Sequence, residues 1–177
     1  MAVHEHRRLA AGRHLKLAVI TASDTRAAGD DKSGQLIREL LEAAGHQVGR
    51  YEIVPDEPER IAGAVRAALA ECDGAIVNGG TGVAPRDRTV EAIRPMLEKE
   101  IEGFGELFRM LSYQEIGAAA MLSRAIAGIA GGRIVAALPG STAGCRLAME
   151  KLLLPELGHL GHLLGLGAQG RDEPIDD

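Results

Sequence analysis

The run Asn78-Gly79-Gly80-Thr81-Gly82 closes the apolar stretch Gly74-Ala75-Ile76-Val77. Glycine tolerates positive φ and puts no side chain between the backbone and a ligand. Successive free N–H groups in such a loop make a concave seat for an anion, the usual cradle of a phosphate. Shortly beyond it stands Asp87, between Arg86 and Arg88. A carboxylate beside a phosphate cradle is electrostatically out of place unless a metal ion or a proton transfer employs it. Three further polar clusters end apolar runs: Ser23-Asp24, Asp56, and Gly140-Ser141-Thr142. Each residue also has an ordinary structural role open to it. The glycine run would serve as a plain turn and Ser23-Asp24 as an Asx or Ser turn. Asp56-x-x-Glu59 reads as a capping box, and Ser141 or Thr142 as an N-cap. Asp87 would pair with Arg86 or Arg88.

The elements that must carry these residues follow from hydrophobic spacing. Leu15–Ile20 is a compact apolar run and reads as a first strand. Leu36, Ile37, Leu40, Leu41 and Ala44 recur at helical spacing, and Gly45 stops that helix. Gln47–Val54 is a second strand, followed by a helix opening at Asp56–Glu59 and bearing Ile61, Val65, Ala68 and Leu69. The third strand feeds the glycine loop, and another helix starts at Thr89. Residues 99–130 read as mostly helical, with a break near Leu111-Ser112. Arg133–Leu138 is a fourth strand, and a last helix runs from Ala143 to about Leu154. Strands alternating with helices predict a three-layer α/β/α fold on a mostly parallel sheet. Ligands of such folds bind beyond the carboxyl ends of the strands. All four polar clusters fall there. The basic segment 1–14 reads as a flexible arm, 15–166 as one domain, and 167–177 as an acidic tail.

Composition removes several function classes. The chain has 177 residues, a formal net charge of −5, no Trp, two Tyr and two Phe. A phosphodiester-binding protein usually needs a basic face and stacking aromatics, so nucleic acid is not expected as a partner. No apolar stretch is long enough to span a membrane. Cys72 and Cys145 suggest no disulfide framework, and together these features predict a cytoplasmic protein. Cys145 reads as a buried structural thiol. His159 and His162 have no evident third ligand and read as exposed surface.

Several motifs in fixed order make the chain resemble a known family. Gly79-Gly80-Thr81-Gly82-x-x-x-Arg86-Asp87-x-Thr89 is followed by Gly103-Phe104-Gly105-Glu106 and by Leu138-Pro139-Gly140. Ser23-Asp24 and Asp31-Lys32-Ser33-Gly34 precede them. The whole resembles the MoaB/Mog family of molybdenum cofactor biosynthesis over about residues 15–160. Leu111-Ser112-Tyr113, Ser123-Arg124-Ala125 and Pro139-Gly140-Ser141-Thr142 are similar to its MoaB branch.

That resemblance implies molybdopterin as substrate, with ATP and Mg²⁺ used to adenylylate its terminal phosphate. A binding-only carrier of the same pathway is the alternative it leaves open. It implies catalytic, Mg²⁺-binding roles for Asp56 and Asp87. Ser23, Asp24, Gly79, Gly80, Thr81, Gly82, Ser112, Gly140, Ser141 and Thr142 become the candidate substrate contacts. It also implies a homotrimer or homohexamer that works with other cofactor-assembly proteins. The small residues of 117–120 and 125–128 suit close packing between subunits.

Overall fold

In this computed structural model residues 12–167 are described. The expected arm (1–14) and tail (167–177) lie almost wholly outside that span. Six strands and six α-helices follow in order: β1 (Lys16–Ala22), α1 (Lys32–Ala43), β2 (Gln47–Val54), α2 (Pro58–Glu71), β3 (Gly74–Asn78), α3 (Thr89–Ile93), β4 (Lys99–Glu100), α4 (Glu102–Ile116), β5 (Ile126–Ala130), β6 (Arg133–Leu138), α5 (Thr142–Ala148) and α6 (Leu154–Leu163). They form one sheet in the order β2-β1-β3-β6-β5-β4. The strands β2, β1, β3 and β6 run parallel, while β5 is antiparallel to β6 and to β4.

The core lies on both faces of this sheet, which explains the near-continuous apolar strands. Side chains alternate along β1. Leu17 and Val19 join Ile37, Leu41, Phe104, Phe108 and Met149 on one face. Ala18 and Ile20 join Ile61, Val65, Val90 and Ile93 on the other. The chain leaves β1 on one side to form β2, then crosses to the other side to form β3. The gap between the carboxyl ends of β1 and β3 is therefore the topological switch point.

Three expected elements are corrected. Residues 99–130 are mostly helical as expected, through α4 and a 3-10 stretch over Gly117–Leu122, but their last segment is not. The Ala/Gly-rich run Ile126–Ala130 is a fully buried strand. It turns into β6 through Gly131 and Gly132, both at positive φ, as a two-residue hairpin demands. Helix α4 does not break at Leu111-Ser112; it runs to Ile116 and ends at Gly117, where φ is +62°. The last helix does not stop near Leu154. A π-helical turn over Met149–Leu153 leads straight into α6. Pro155 lacks an N–H and its ring crowds the carbonyl four residues back, and such wide turns absorb that conflict.

His46 sits at the opposite end of the sheet. It is 8% exposed, and its Nδ1 accepts a hydrogen bond from the Leu15 amide at 3.1 Å. Burial, then the neighbouring His14 ring, holds its pKa below the ordinary 6.5. The folded state thus binds fewer protons than the unfolded chain just below pH 6.5, and stability falls as pH drops through that window. His46→Asn, which keeps an acceptor but cannot titrate, is expected to flatten the loss between pH 7 and 5. Thermal melts of both proteins across that range measure it; identical slopes would remove His46 as a contributor.

Candidate active site

The four strand-exit loops converge. Thr21 and Asn78 face each other in the register of β1 and β3. Gly79 donates its N–H to Leu138 O at 3.0 Å, tying the glycine loop to the end of β6. A Cβ added at Gly140 would stand 3.4 Å from Gly79 Cα. Gly79 and Gly80 have φ of +98° and +63°. Any side chain at Gly79 would strike Ala22 O, and one at Gly80 would strike the Thr89 hydroxyl and approach Asp56 Oδ1 to 3.2 Å. Both steric space and backbone conformation therefore demand glycine here. Thr89 secures the loop from below: its hydroxyl donates to Gly79 O at 2.7 Å and its amide to Gly80 O at 3.0 Å.

Two carboxylates meet this loop. A Cβ at Gly82 would lie 2.7 Å from Asp87 Oδ2. Asp87 Oδ2 accepts the Ala84 amide at 2.9 Å, closing a tight turn. Asp56 is not the expected helix cap. Pro58 occupies the first turn of α2, so the N-cap falls on Glu57, which makes no side-chain cap bond. This follows the preference of proline for the first helical position. Asp56 Oδ1 is buried and has no hydrogen-bond partner. Its amide donates to Asp24 Oδ1 at 3.1 Å. Burial, and next the Asp24 carboxylate, pushes the Asp56 carboxyl above its ordinary value, and Asp87 adds to this. Arg86, ion-paired with Asp24, pulls the other way.

The remaining candidates divide. Ser23 caps its own turn, its hydroxyl accepting the Arg26 amide at 3.2 Å. It lines, with Asp24, a hollow of ≈ 560 Å³ that reaches Tyr51 and Pro55. Thr81 is 3% exposed, so its hydroxyl is less available than its sequence position suggests. Gly140 O is already taken by Arg26 Nη2 at 2.8 Å and Ser33 Oγ at 2.9 Å. Ser141 is the N-cap of α5, accepting the Gly144 amide at 3.2 Å, and Thr142 Oγ1 lies 3.4 Å from Ser33 Oγ. Ser112 stands apart from the glycine loop. It is buried on α4 and faces a small crevice shared with Pro139 and Ser141. Cys145 is fully buried, donates to Pro139 O, and its thiol is pushed up to about 12 by burial. His159 and His162 are half-buried rather than exposed, and His159 Nδ1 lies 3.0 Å from Glu156 Oε2.

One group escaped the sequence reading. Asp31, 1% exposed, caps α1 through the Gly34 amide at 3.0 Å. It also accepts from the Thr21 hydroxyl and, at 2.9 Å, from Tyr51 OH. Thr21 in turn accepts from Asn78 Nδ2 at 2.8 Å. The available signal was a polar residue closing each of two apolar strands. Their shared partner is too distant in sequence to have been found by spacing.

Among the described residues no three His, Cys, Asp or Glu side chains form a metal-binding group. Two carboxylates, one with a buried oxygen lacking a partner, suit a different arrangement. Mg²⁺ usually takes one or two protein carboxylates and fills its other positions with phosphate oxygens and water. No helix among the described residues is long and apolar enough to cross a membrane.

Fold and loops together define the class: a doubly wound α/β protein with a glycine loop flanked by two carboxylates at its switch point. A family model described as "Probable molybdopterin binding domain" matches residues 18–159. The Molybdenum cofactor biosynthesis protein B of Halalkalibacterium halodurans is 52% identical over 163 residues, covering 90% of this chain and 95% of that one. A crystal structure of a Molybdenum cofactor biosynthesis protein B superposes with a TM-score of 0.85 at 52% identity, over 88% of this chain and 98% of the other. The tungsten cofactor synthesizing protein MoaB of Pyrococcus furiosus gives 0.75 at 41%, over 83% and 94%. The chain belongs to the MoaB family of molybdenum cofactor biosynthesis, and its fold is the molybdopterin-binding fold of the MoaB and Mog structures.

Proposed function

We propose that the protein adenylylates molybdopterin at the expense of Mg-ATP. The terminal phosphate oxygen of molybdopterin attacks the α-phosphorus of ATP. An oxygen–phosphorus bond forms, the α–β bridge breaks, and pyrophosphate leaves with the electron pair. The reactants are both anions, so the protein's task is to align them and screen their charge. The amides of Gly80 and Gly82 would supply fixed donors without reorganisation, that of Gly79 being held by Leu138 O. Asp56 and Asp87 would hold Mg²⁺, which supplies charge neutralisation on the phosphates when bound. Ser23, Asp24, Ser112 and the Gly140–Thr142 turn are the remaining ligand contacts of this reading.

The observation that carries it is the buried, unpartnered Asp56 Oδ1 held against Gly80. An acceptor left without a donor in apo protein is a cost that a bound cation removes. The deciding experiment is incubation of purified protein with Mg-ATP and molybdopterin. Formation of adenylyl-molybdopterin and pyrophosphate supports catalysis. No product, with molybdopterin still bound, would instead favour a carrier that hands the pterin to other cofactor-assembly proteins.

The same reading includes cytoplasmic location and self-assembly as a trimer or hexamer. Of the two runs of small residues, 117–120 exposes Ala118 and Ala119. Residues 125–128 are buried within the fold and offer no surface. Helix α4 also exposes Leu107, Met110, Tyr113 and Ile116 at three-residue spacing, and Met121 (75% exposed) and Leu122 are exposed just beyond it. Exposed large apolar side chains gathered on one element and its continuation support an interface there. Light scattering is expected to give three or six subunits; a monomer at working concentration would contradict it.

A further inference from the structure

We propose that Arg124 is a positioning residue of this site, its guanidinium fixing the span from Gly82 to Asp87 in the shape that presents Asp87 to the glycine cradle. It precedes β5 and reaches the loop from outside. Its amide donates to Thr81 O at 3.0 Å. Its Nε donates to Gly82 O at 2.8 Å, and its Nη2 to Asp87 O at 2.8 Å. One planar fork thus holds the first and last carbonyls of the segment.

Beyond the ion pair of Arg86 with Asp24, little else holds it. Val83 is 64% exposed, and Ala84, Pro85 and Arg86 are also exposed. Internally the segment is closed by two bonds between Ala84 and Asp87. Ordering so exposed a stretch costs conformational entropy at every residue. The tether offsetting that cost is itself anchored. Glu91, on α3, pairs with both terminal nitrogens of Arg124, and this pairing keeps the Glu91 carboxyl below its ordinary range. The fork therefore reads three acceptors on two elements at once. A lysine ammonium, a compact charge on a flexible stem, cannot reproduce that geometry. The guanidinium spends its contacts on backbone carbonyls and Glu91 and acts on the site through Asp87. As a statement about turnover the inference rests on the adenylylation reading; as a statement about the loop it does not.

Arg124→Ala and Arg124→Lys test it in the full-length protein. Amide hydrogen exchange of residues 82–88 is expected to rise about tenfold or more in both variants, while β1 and β3 keep their protection. Calorimetric affinity for Mg-ATP should fall alongside. With molybdopterin present, kcat should drop about a hundredfold with a smaller change in KM, as for a misplaced catalytic group. Methylguanidinium at millimolar concentration should restore part of the loss in Arg124→Ala and none in Arg124→Lys. Wild-type exchange rates in the loop of Arg124→Lys would overturn the proposal. So would loss of protection spread evenly through the sheet. If wild-type protein makes no adenylyl-molybdopterin, the exchange and calorimetry arms still decide the role of Arg124, and only the adenylylation reading fails.

Discussion

Asp56→Asn is expected to abolish adenylylation and, at the same time, to raise the melting temperature of the ligand-free protein. The folded chain holds the Asp56 carboxylate half-buried, with Oδ1 unpartnered and the Asp24 carboxylate beside it. Its raised pKa means that folding disfavours the ionised form at neutral pH. A neutral isostere removes that penalty, so stability rises. Turnover should fall on the order of 10³-fold, about 4 kcal/mol of transition-state stabilisation, because the site then has one charge fewer to set against the phosphates. Asp87→Asn separates the two effects. Its amide oxygen can still accept from Ala84 N, so the loop and the melting temperature should change little. Activity should fall comparably. Melting curves of ligand-free protein and product formation from Mg-ATP and molybdopterin read both outcomes. A lower melting temperature for Asp56→Asn would mean that its buried oxygen is not a strained group. Unchanged turnover in Asp87→Asn would remove Asp87 from the chemistry.

The largest loss of stability is expected from Asp31→Ala. The side chain is buried, and it caps α1 while receiving hydroxyl hydrogen bonds from Thr21 and Tyr51. Arg26 lies 3.6 Å from its other oxygen. Removing the acceptor strands donors from β1, β2 and α1 together. Breaking a buried charged cluster from one side costs about 3–5 kcal/mol, which lowers Tm by about 10 °C in a chain of this size. Tyr51 offers an independent readout. Its phenol is pushed up to about 12, first by burial and then by Asp31. Ultraviolet titration of Asp31→Ala should show that value falling; a phenol still titrating at about 12 would separate Tyr51 from the network.

The loops were legible in the sequence because each ends an apolar run with residues unsuited to a core. Gly79–Gly82, Asp87 and the Pro139–Thr142 turn announce themselves in that way. Strand β5 was hidden by composition: Ile126-Ala127-Gly128-Ile129-Ala130 has small residues that fit a helix equally well, and only Gly131-Gly132 marked the hairpin. For Asp56 a helix cap stood open beside the site role because acid, spacing and Glu59 fit one, although Pro58 moves the cap to Glu57. Asp31 and Arg124 could not be read locally. Their partners come from strands and loops tens of residues away, and pairing of that kind is a property of the closed sheet.

The two outer strands also decide how copies of the molecule can meet. At one margin β4 is only two residues long. At the other, β2 is kinked where its pairing with β1 skips Gly49, and it carries the charged pair Arg50 and Glu52. Neither margin is a template on which a further chain could extend the ladder, a common protection against fibrous aggregation. Growth by strand addition is thereby discouraged at both margins. A ring joined through its helices would add no strand at either margin of the sheet.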